Sequence, residues 1–506
     1  MTTERSRWVA LYVLCTGMLM IVLDVTVVNV ALPYIQGDLG FTGASLAWVV
    51  NAYLIAFGGL LLLAGRLGDL LGRLRIFQTG LIIFTVASIG CGLAQDQLTL
   101  VVARFVQGAG GALTSSVILG MIVTMFSQPR EQAKAIGVFA FVASAGGAVG
   151  LLAGGVLTEA INWHWIFFIN VPIGIATAAC ARRWVPADGG TGFHGGVDLT
   201  GAVLVTAGLM LGVYTIVKPA ADYGWTSGAT LGLAAASIVL LGGFLLREVT
   251  AANPLVPLAI FRSRNLSAAN VIQVLGAAGM FGTFFLGALY VQRVLHYSPL
   301  RIGFAFLPVS VLMGLISVRY VDRLITRFGS RKLCVTGQLF IAAGLALLAL
   351  APVAGGYWLH LFPSLVALGI GAGLCFPPLM GLAMSGAEPR DAGLASGLIN
   401  TTGQVGGALG LAVFATVTSG RTSQLVAHGH SLPAALTAGY HLGFWIAAVL
   451  VLCGVGVAVV ALTTPPAGAA GSAGPTGAAG SAGPAGAALT EPEREPQSAA
   501  IAEASC

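Results

Sequence analysis

The sequence predicts an all-α polytopic membrane protein with about fourteen transmembrane helices. Hydrophobic residues make up 57% of the 506 residues and charged residues only 8%, a composition that soluble globular proteins do not have. The 71 glycines suit helices that pack closely in lipid, where no surrounding water drives them together. Apolar residues also come in runs of about 20, the length that crosses the hydrocarbon core as a helix.

Fourteen such runs follow one another between polar loops. Their predicted bounds are 8–32, 45–64, 75–94, 98–119, 134–158, 164–182, 199–218, 228–247, 267–290, 301–318, 333–351, 358–380, 394–418 and 440–462. Because the number is even, both termini lie on the same side of the membrane. The tail that follows, 463–506, is rich in Ala, Gly, Ser and Pro and predicts disorder.

Lysine and arginine predict which side that is. With a cytoplasmic N-terminus, nineteen of the 24 basic residues fall on the cytoplasmic side and Arg104 falls inside a span. Four fall outside, namely Lys218, Arg293, Arg301 and Arg421. Cytoplasmic loops carry the excess of positive charge in membrane proteins. We therefore expect a multi-pass protein of the cytoplasmic membrane with both termini in the cytoplasm.

The sequence lacks the patterns of an enzyme, a metal site or a nucleic-acid-binding protein. None of the three lysines follows a GxxxxG, so no Walker A loop is present. The seven histidines form no HExxH and the seven cysteines no CxxC. The net charge of +6 comes from the loop arginines and predicts topology, not a nucleic-acid partner. We expect no enzymatic activity and no cofactor, and we expect the lipid bilayer as partner.

Two opposite charges lie inside apolar runs, Asp24 in the first and Arg104 in the fourth. A charge in hydrocarbon costs several kcal/mol, so each of them needs a compensating role. Asp24 lies about 12 Å and Arg104 about 9 Å from the outer ends of their spans, so the two can pair. One interpretation is a structural ion pair that joins two helices. The other is a proton site, with Asp24 as the carrier and the non-titrating Arg104 as the group that tunes it.

A glycine-rich loop follows the second span and reads Gly65-Arg-Leu-Gly-Asp-Leu-Leu-Gly-Arg-Leu-Arg75. Gly65, Gly68 and Gly72 permit a tight turn, and Asp69 stands four residues before Arg73. The pattern resembles the G-x-L-x-D-x-x-G-R signature of the major facilitator superfamily. The resemblance implies that Asp69 and Arg73 form a cytoplasmic gate between the halves of an alternating-access transporter.

Further motifs resemble those of one branch of that superfamily. They are Leu23-Asp24-Val-Thr26-Val-Val-Asn29-Val-Ala-Leu-Pro33, Arg104-Phe-Val-Gln107-Gly108, Trp163-His-Trp165-Ile-Phe-Phe-Ile-Asn170-Val-Pro172-Ile-Gly174 and Gly393-Leu-Ala-Ser396-Gly-Leu-Ile-Asn400-Thr-Thr-Gly-Gln404. Together they are similar to the fourteen-helix drug:proton antiporters of the EmrB/QacA type. A further stretch, Gly146, Gly150, Gly154 and Gly155, resembles the antiporter helix-packing motif of span 5, although Leu151 stands where that motif has proline.

The resemblance implies the major facilitator fold, two six-helix bundles with two inserted helices. The implied divisions are a cytoplasmic N-terminus 1–7, a first bundle 8–182, a linker 183–198, an inserted pair 199–247, a linker 248–266, a second bundle 267–462 and a tail 463–506. A basic loop over 319–332 looks like a degraded copy of the 65–75 loop, at the place where the second bundle should carry it.

The implied function is proton-coupled antiport, which exports a small amphipathic drug or antibiotic and confers resistance. The partners are then a small-molecule substrate and protons, and the proton gradient takes the place of a cofactor. A proton-coupled symporter that imports a nutrient stays open, as does a membrane sensor that uses the same fold without transport. No acid lies within the predicted spans 7–14, which argues against dicationic substrates.

Polar residues within the spans are candidates for a substrate cavity, and each is equally a candidate for an interhelical hydrogen bond. They are Asn29, Asn51, Tyr53, Gln107, Asn170, Asn270, Gln273, Asn400 and Gln404. The phenylalanines of spans 9 and 10 are candidates for an apolar drug-binding surface or for contact with lipid. They are Phe281, Phe284, Phe285, Phe304 and Phe306.

Overall fold

Long helices make up almost all of the described chain. The structure, a computed structural model, describes residues 4–126, 128–187, 190, 198–217, 219, 223–251, 254–353, 355–385 and 392–463, and the predicted tail lies outside this part apart from its first residue. The helices are α1 (Glu4–Leu39), α2 (Trp48–Leu71), α3 (Arg73–Gly92), α4 (Gln97–Met125), α5 (Pro129–Ala160), α6 (Trp165–Phe168), α7 (Asn170–Trp184), α8 (Leu199–Val217), α9 (Gly228–Thr250), α10 (Arg264–Arg293), α11 (Pro299–Arg319), α12 (Val321–Phe328), α13 (Ser330–Leu348), α14 (Phe362–Met384), α15 (Ala392–Ala427) and α16 (Leu432–Ala461).

The predicted fold class is confirmed. Within the described residues, thirteen segments are long and apolar enough to cross a membrane, with α6 and α7 together forming one of them. The remaining span is α5, a helix of 32 residues. Several helices run beyond the predicted bounds, because backbone hydrogen bonding continues into polar flanks that hydropathy does not detect. The sixth span contains a break of one residue at Ile169 between α6 and α7, where the backbone keeps helical dihedral angles (φ -58°, ψ -28°).

The helices form two halves with the same packing pattern. In the first half α1 packs on α5 and α7, α3 packs on α4 and α7, and α2 packs on α4. In the second half α10 packs on α15 and α16, α13 packs on α14 and α16, and α11 packs on α14. Across the halves, α5 packs on α11 and α2 on α15. The same five pairings therefore occur in both halves, as expected of two bundles that are structural repeats.

The first residues of α1 and the last residues of α16 lie at the same end of the molecule, which we call the terminal face. At this end Arg7 of α1 pairs with Glu131 of α5, and Arg264 of α10 donates to the Val460 carbonyl of α16. At the other end, the opposite face, Gln36 of α1 meets Arg293 of α10. The positive-inside bias predicts that the terminal face is cytoplasmic.

The inserted pair, α8 and α9, lies beside the contact between the two halves. α8 packs against α9, and it also contacts α2 of the first half and α15 of the second. Its Ile216 carbonyl accepts a hydrogen bond from the Thr416 hydroxyl of α15 at 3.1 Å. The insertion therefore covers the α2–α15 contact and leaves the packing pattern of the two halves intact.

Candidate functional site

The two intramembrane charges are in direct contact. Arg104 Nη1 lies 2.6 Å from Asp24 Oδ2, and both side chains are almost completely buried, with 1% and 0% exposed. The Arg104 Nε donates to the Val49 carbonyl of α2 at 2.9 Å. This joins α1, α2 and α4 of the first half. Removal of either charge would leave the other buried and unpaired, which costs about 3–5 kcal/mol in buried pairs.

Two amides complete the shell around the carboxylate. Asp24 Oδ1 accepts hydrogen bonds from Gln107 Nε2 at 2.8 Å and from Asn170 Nδ2 at 3.0 Å. Gln107 also accepts from Arg104 at 2.7 Å and donates to Ser88 at 2.8 Å. Asp24 thus accepts three hydrogen bonds and acts in each of them as an acceptor, as an ionised carboxylate does.

Aromatic rings enclose the guanidinium. The Arg104 Cζ atom lies 4.4 Å from the centroid of the Tyr53 ring and 5.7 Å from that of Phe167. Phe167 belongs to α6 and Asn170 begins α7, so the break at Ile169 places one ring and one amide on the site. A change in helix direction at Ile169 would move two groups together. These are the Asn170 amide, which donates to Asp24, and the Phe167 ring, which contacts Arg104.

Glycines of α5 bring that helix close to α1 beside Asp24. A Cβ atom on Gly150 would collide with Thr26, and one on Gly154 would lie 2.8 Å from the Val27 carbonyl oxygen. Gly146 faces Leu19 and Val22 of the same helix. Small residues allow this approach of backbones in membranes. Gly155 instead faces α11, where its Cβ would lie 2.9 Å from Leu300 Cα.

The other predicted cavity residues do not form one group with the charges. Asn29 donates to the Val25 carbonyl of its own helix at 3.0 Å. Asn51 is completely buried, and neither atom of its amide has a hydrogen-bond partner.

Gln404 and Asn400 lie in α15 of the other half, where Asn400 is exposed. Asn270 and Gln273 are second-half residues as well, and Asn270 accepts from Thr402 at 2.9 Å.

The halves are joined at the opposite face. Arg293 donates to Gln36 between α10 and α1, and the Leu300 amide donates to Glu159 Oε2 between α11 and α5 at 2.9 Å. Gly303 of α11 lies against α5, since its Cβ would be 2.6 Å from the Leu151 carbonyl oxygen. These contacts keep the two halves together at this end.

The glycine-rich loop forms a tight turn at the terminal face. Gly72, between α2 and α3, has φ 99° and ψ 128°, a conformation that side chains disfavour. A Cβ atom on Gly68 would collide with Val117, and one on Gly65 would lie 4.0 Å from Ser116 Cβ, both in α4. Arg73 donates to the Gly120 carbonyl at 3.2 Å. The Asp69 side chain is outside the described part, so the implied pairing with Arg73 remains a prediction.

The basic loop of the second half has the same turn. Gly329, between α12 and α13, has φ 84° and ψ 149°. Its amide donates to the Ile325 carbonyl four residues earlier, as the Gly72 amide does to Gly68. The 319–332 segment therefore shares the backbone conformation of the 65–75 loop at its glycine. The equivalence follows the packing repeat between the halves.

The chain matches a known protein family over most of its length. A family model described as Major Facilitator Superfamily matches residues 14–411. The chain belongs to this superfamily. The puromycin resistance protein pur8 of Streptomyces alboniger is 39% identical over 88% of each chain. The cephamycin export protein CmcT of Amycolatopsis lactamdurans is 39% identical over 83% of this chain and 87% of its own.

Solved structures show the same fold at low sequence identity. A bacterial homologue of the human lysosomal transporter Spinster, in an inward-facing and unoccupied conformation, superposes with a TM-score of 0.66 at 15% identity. It covers 91% of this chain and 97% of that one. The POT family transporter PepTSo gives a TM-score of 0.64 at 15% identity, covering 89% of this chain and 98% of that one.

The superfamily resemblance is thereby confirmed. The chain is a multi-pass membrane transporter rather than an enzyme, as its family indicates. Within the described residues no cluster of three or more His, Cys, Asp or Glu is arranged to hold a metal ion. The curated relatives named above carry names of antibiotic resistance and export, in agreement with the branch that the motifs resemble.

Proposed function

We propose that this protein is a proton-coupled antiporter that exports a small amphipathic drug or antibiotic across the cytoplasmic membrane by alternating access. The observation that carries the proposal is the buried pair of Asp24 and Arg104 in a chain whose relatives include named resistance and export proteins. The tetracenomycin C resistance and export protein of Streptomyces glaucescens, 35% identical over 83% of this chain, supports the same class.

Proton coupling needs a group that changes charge inside the membrane. Asp24 is the acid that meets this need, because Arg104 stays protonated at physiological pH. Protonation of Asp24 would remove its attraction to Arg104 and force one of its three donors to find another acceptor. The protonated and ionised forms therefore favour different packing around the site, which is the requirement for coupling.

The break between α6 and α7 is the element that we propose responds to this change. Asn170 is fully buried, and its Oδ1 atom has no hydrogen-bond partner while its Nδ2 binds Asp24. A protonated Asp24 could donate to such a free carbonyl oxygen after a rotation of either group. Asn170 would then act as donor to the anion and as acceptor for the acid. α7 would move with that exchange.

The substrate that suits this protein is an amphipathic molecule without several positive charges. In the second half the acids are Asp322, Glu388 and Asp391, and all three lie outside the predicted spans. A membrane carboxylate that could pair with a second cation is therefore absent from those spans. Neutral amides such as Gln404, whose Oε1 is unpartnered, are suited to hydrogen-bond a neutral polar group.

Transport against a gradient tests the proposal. Inside-out vesicles that contain the protein would be energised to an acidic interior, and accumulation of each drug of a panel would be measured. We expect at least one drug to accumulate, and we expect an uncoupler that collapses the pH gradient to stop it. Accumulation that persists after collapse of the gradient would contradict proton coupling. Accumulation of none of a broad panel would contradict drug export.

A further inference from the structure

A groove of about 780 Å³ lies on the second half, away from the charged site. One wall is a face of α11, where Arg301, Phe304, Pro308 and Val311 follow one another at spacings of three, four and three residues. The other wall is the turn before α14 and its first residue, with Tyr357, Trp358 and Phe362. All of these lining residues except Arg301 are apolar or aromatic.

The groove is about as long as half of the hydrocarbon core of a bilayer is thick. Ten residues separate Arg301 from Val311, which corresponds to about 15 Å along the helix axis. The hydrocarbon core is about 30 Å thick, so this is about half of it. Arg301 lies two residues after the start of α11 at the opposite face, and Val311 lies near the middle of that helix. The position along α11 therefore predicts headgroup depth for the charged end and the region of the bilayer midplane for the apolar end.

The residues at the charged end mark the interface. Trp358 is 74% exposed beside Tyr357, and tryptophan and tyrosine concentrate at the headgroup level of membrane proteins. Arg301 is exposed and forms no ion pair within the part of the chain that the structure describes. The nearby Glu159 carboxylate accepts from the Leu300 amide, which is the main cause that lowers the pKa of that carboxyl, and the charge of Arg301 contributes to the same lowering. Arg301 also departs from the positive-inside bias, since it lies on the predicted outer side.

We propose that this groove is a binding site for an anionic phospholipid of the leaflet at the opposite face. Arg301 binds the headgroup phosphate, the Trp358 ring borders the glycerol region, and an acyl chain lies along Phe304, Pro308 and Val311. Pro308 interrupts the helical hydrogen bonding of α11 and helps to form the concave wall. The back of the same helix carries Gly303, which packs on α5, so the lipid lies beside the contact between the halves.

Quenching of Trp358 by brominated lipids tests this site on the full-length protein. The protein would be reconstituted into bilayers that contain brominated phosphatidylglycerol or brominated phosphatidylcholine. The difference in quenching between the wild-type protein and Trp358→Phe gives the quenching of Trp358 itself, and this difference measures lipid in the groove. We expect this part to reach half-maximum at roughly twofold to fivefold lower mole fraction of phosphatidylglycerol than of phosphatidylcholine, the range of one exposed ion pair.

Three variants separate the contributions. Arg301→Gln is expected to abolish the preference, whereas Arg421→Gln, which removes another exposed arginine of the opposite face, is expected to keep it. Val311→Phe fills the apolar end and is expected to weaken quenching by both lipids. Soluble glycerol phosphate should not compete with the lipid.

Equal quenching by the two lipids, or a preference that survives in Arg301→Gln, would overturn the proposal. Competition by glycerol phosphate would reduce the site to a simple anion site, which also contradicts it. These readouts involve no transport, so they are independent of the antiport proposal.

Discussion

Arg104 and Asp24 are 80 residues apart in sequence, and their side chains lie 2.6 Å apart inside the first helical half. The pair is not isolated, because Gln107 contacts both partners and Asn170 contacts the carboxylate. Every element of this network belongs to the first half. If the protein is the antiporter that we propose, coupling of this network to a substrate between the halves requires a movement of first-half helices.

Replacement of Arg104 alone is expected to destabilise the protein more than replacement of Arg104 and Asp24 together. Arg104→Gln leaves Asp24 buried without its cation, so we expect a loss of about 3–5 kcal/mol in the free energy of unfolding. Asp24→Asn combined with Arg104→Gln leaves no charge in the site and should recover much of that loss. Thermal unfolding of detergent-purified variants measures this. A double variant that is no more stable than Arg104→Gln would show that the charges are not coupled.

The glycines of α5 are expected to tolerate no methyl group where they touch α1. In Gly154→Ala the new Cβ would lie 2.8 Å from the Val27 carbonyl oxygen, so we expect a loss of about 1–3 kcal/mol from overpacking. Gly276→Ala in α10 is the matched control, since its Cβ would meet nothing within 4 Å. The control should be neutral or stabilising by up to about 1 kcal/mol. Equal unfolding midpoints of the two variants would argue against close packing of α1 and α5.

The start of α4 is expected to depend on pH through Asp96. Hydrogen bonds from the Thr99 hydroxyl and the Thr99 amide lower the pKa of Asp96 below its ordinary value of 3.8. A lowered pKa means that the folded state favours the anion, so the stabilisation is present above 3.8 and is lost as pH falls through the folded value. Asp96→Ala should therefore be less stable than wild type at neutral pH, with a difference that shrinks in acid.

Asp96→Asn is the control for this prediction, because asparagine caps a helix without titrating. Its stability difference from Asp96→Ala should stay constant with pH. Unfolding midpoints of the three proteins over an acid series provide the comparison. A wild-type advantage that is unchanged at the most acidic values would contradict the assignment.

Separation of the halves at the opposite face is expected to be required for transport. Gln36 and Arg293 are in contact across α1 and α10, so cysteines at the two positions can be joined by a short cleavable crosslinker. In a background without native cysteines, we expect the joined protein to lose transport and to regain it when the link is reduced. Each single cysteine variant treated with the reagent should stay active. Undiminished transport by the joined protein would exclude alternating access through this end.

The span count and the charged pair could be predicted because each depends on a strong local signal. Runs of about 20 apolar residues specify membrane helices directly, and a charge within such a run is conspicuous. The turn at Gly329 could also be anticipated, since the basic Phe-Gly-Ser-Arg-Lys segment repeats features of the 65–75 loop. These are properties of short segments.

The partners of the pair could not be predicted in the same way. Ser88 and the Val49 carbonyl join the network although neither has a sequence signal, because a serine or a backbone carbonyl in an apolar run is common. The break at Ile169 could not be predicted, because the apolar run continues through it. The groove beside α11 depends on which face of that helix meets the turn at Tyr357, and only tertiary packing decides that.

Proton movement during substrate exchange is the most direct test of the central claim, that Asp24 carries the coupled proton. Proteoliposomes with a trapped pH-sensitive dye would receive a transported drug without an imposed pH gradient, and internal pH would be recorded for wild type and Asp24→Asn. The account predicts a drug-dependent pH change in wild type and none in Asp24→Asn, which should still exchange labelled drug for unlabelled drug. A pH change of wild-type size in Asp24→Asn would contradict the account and place the proton site elsewhere.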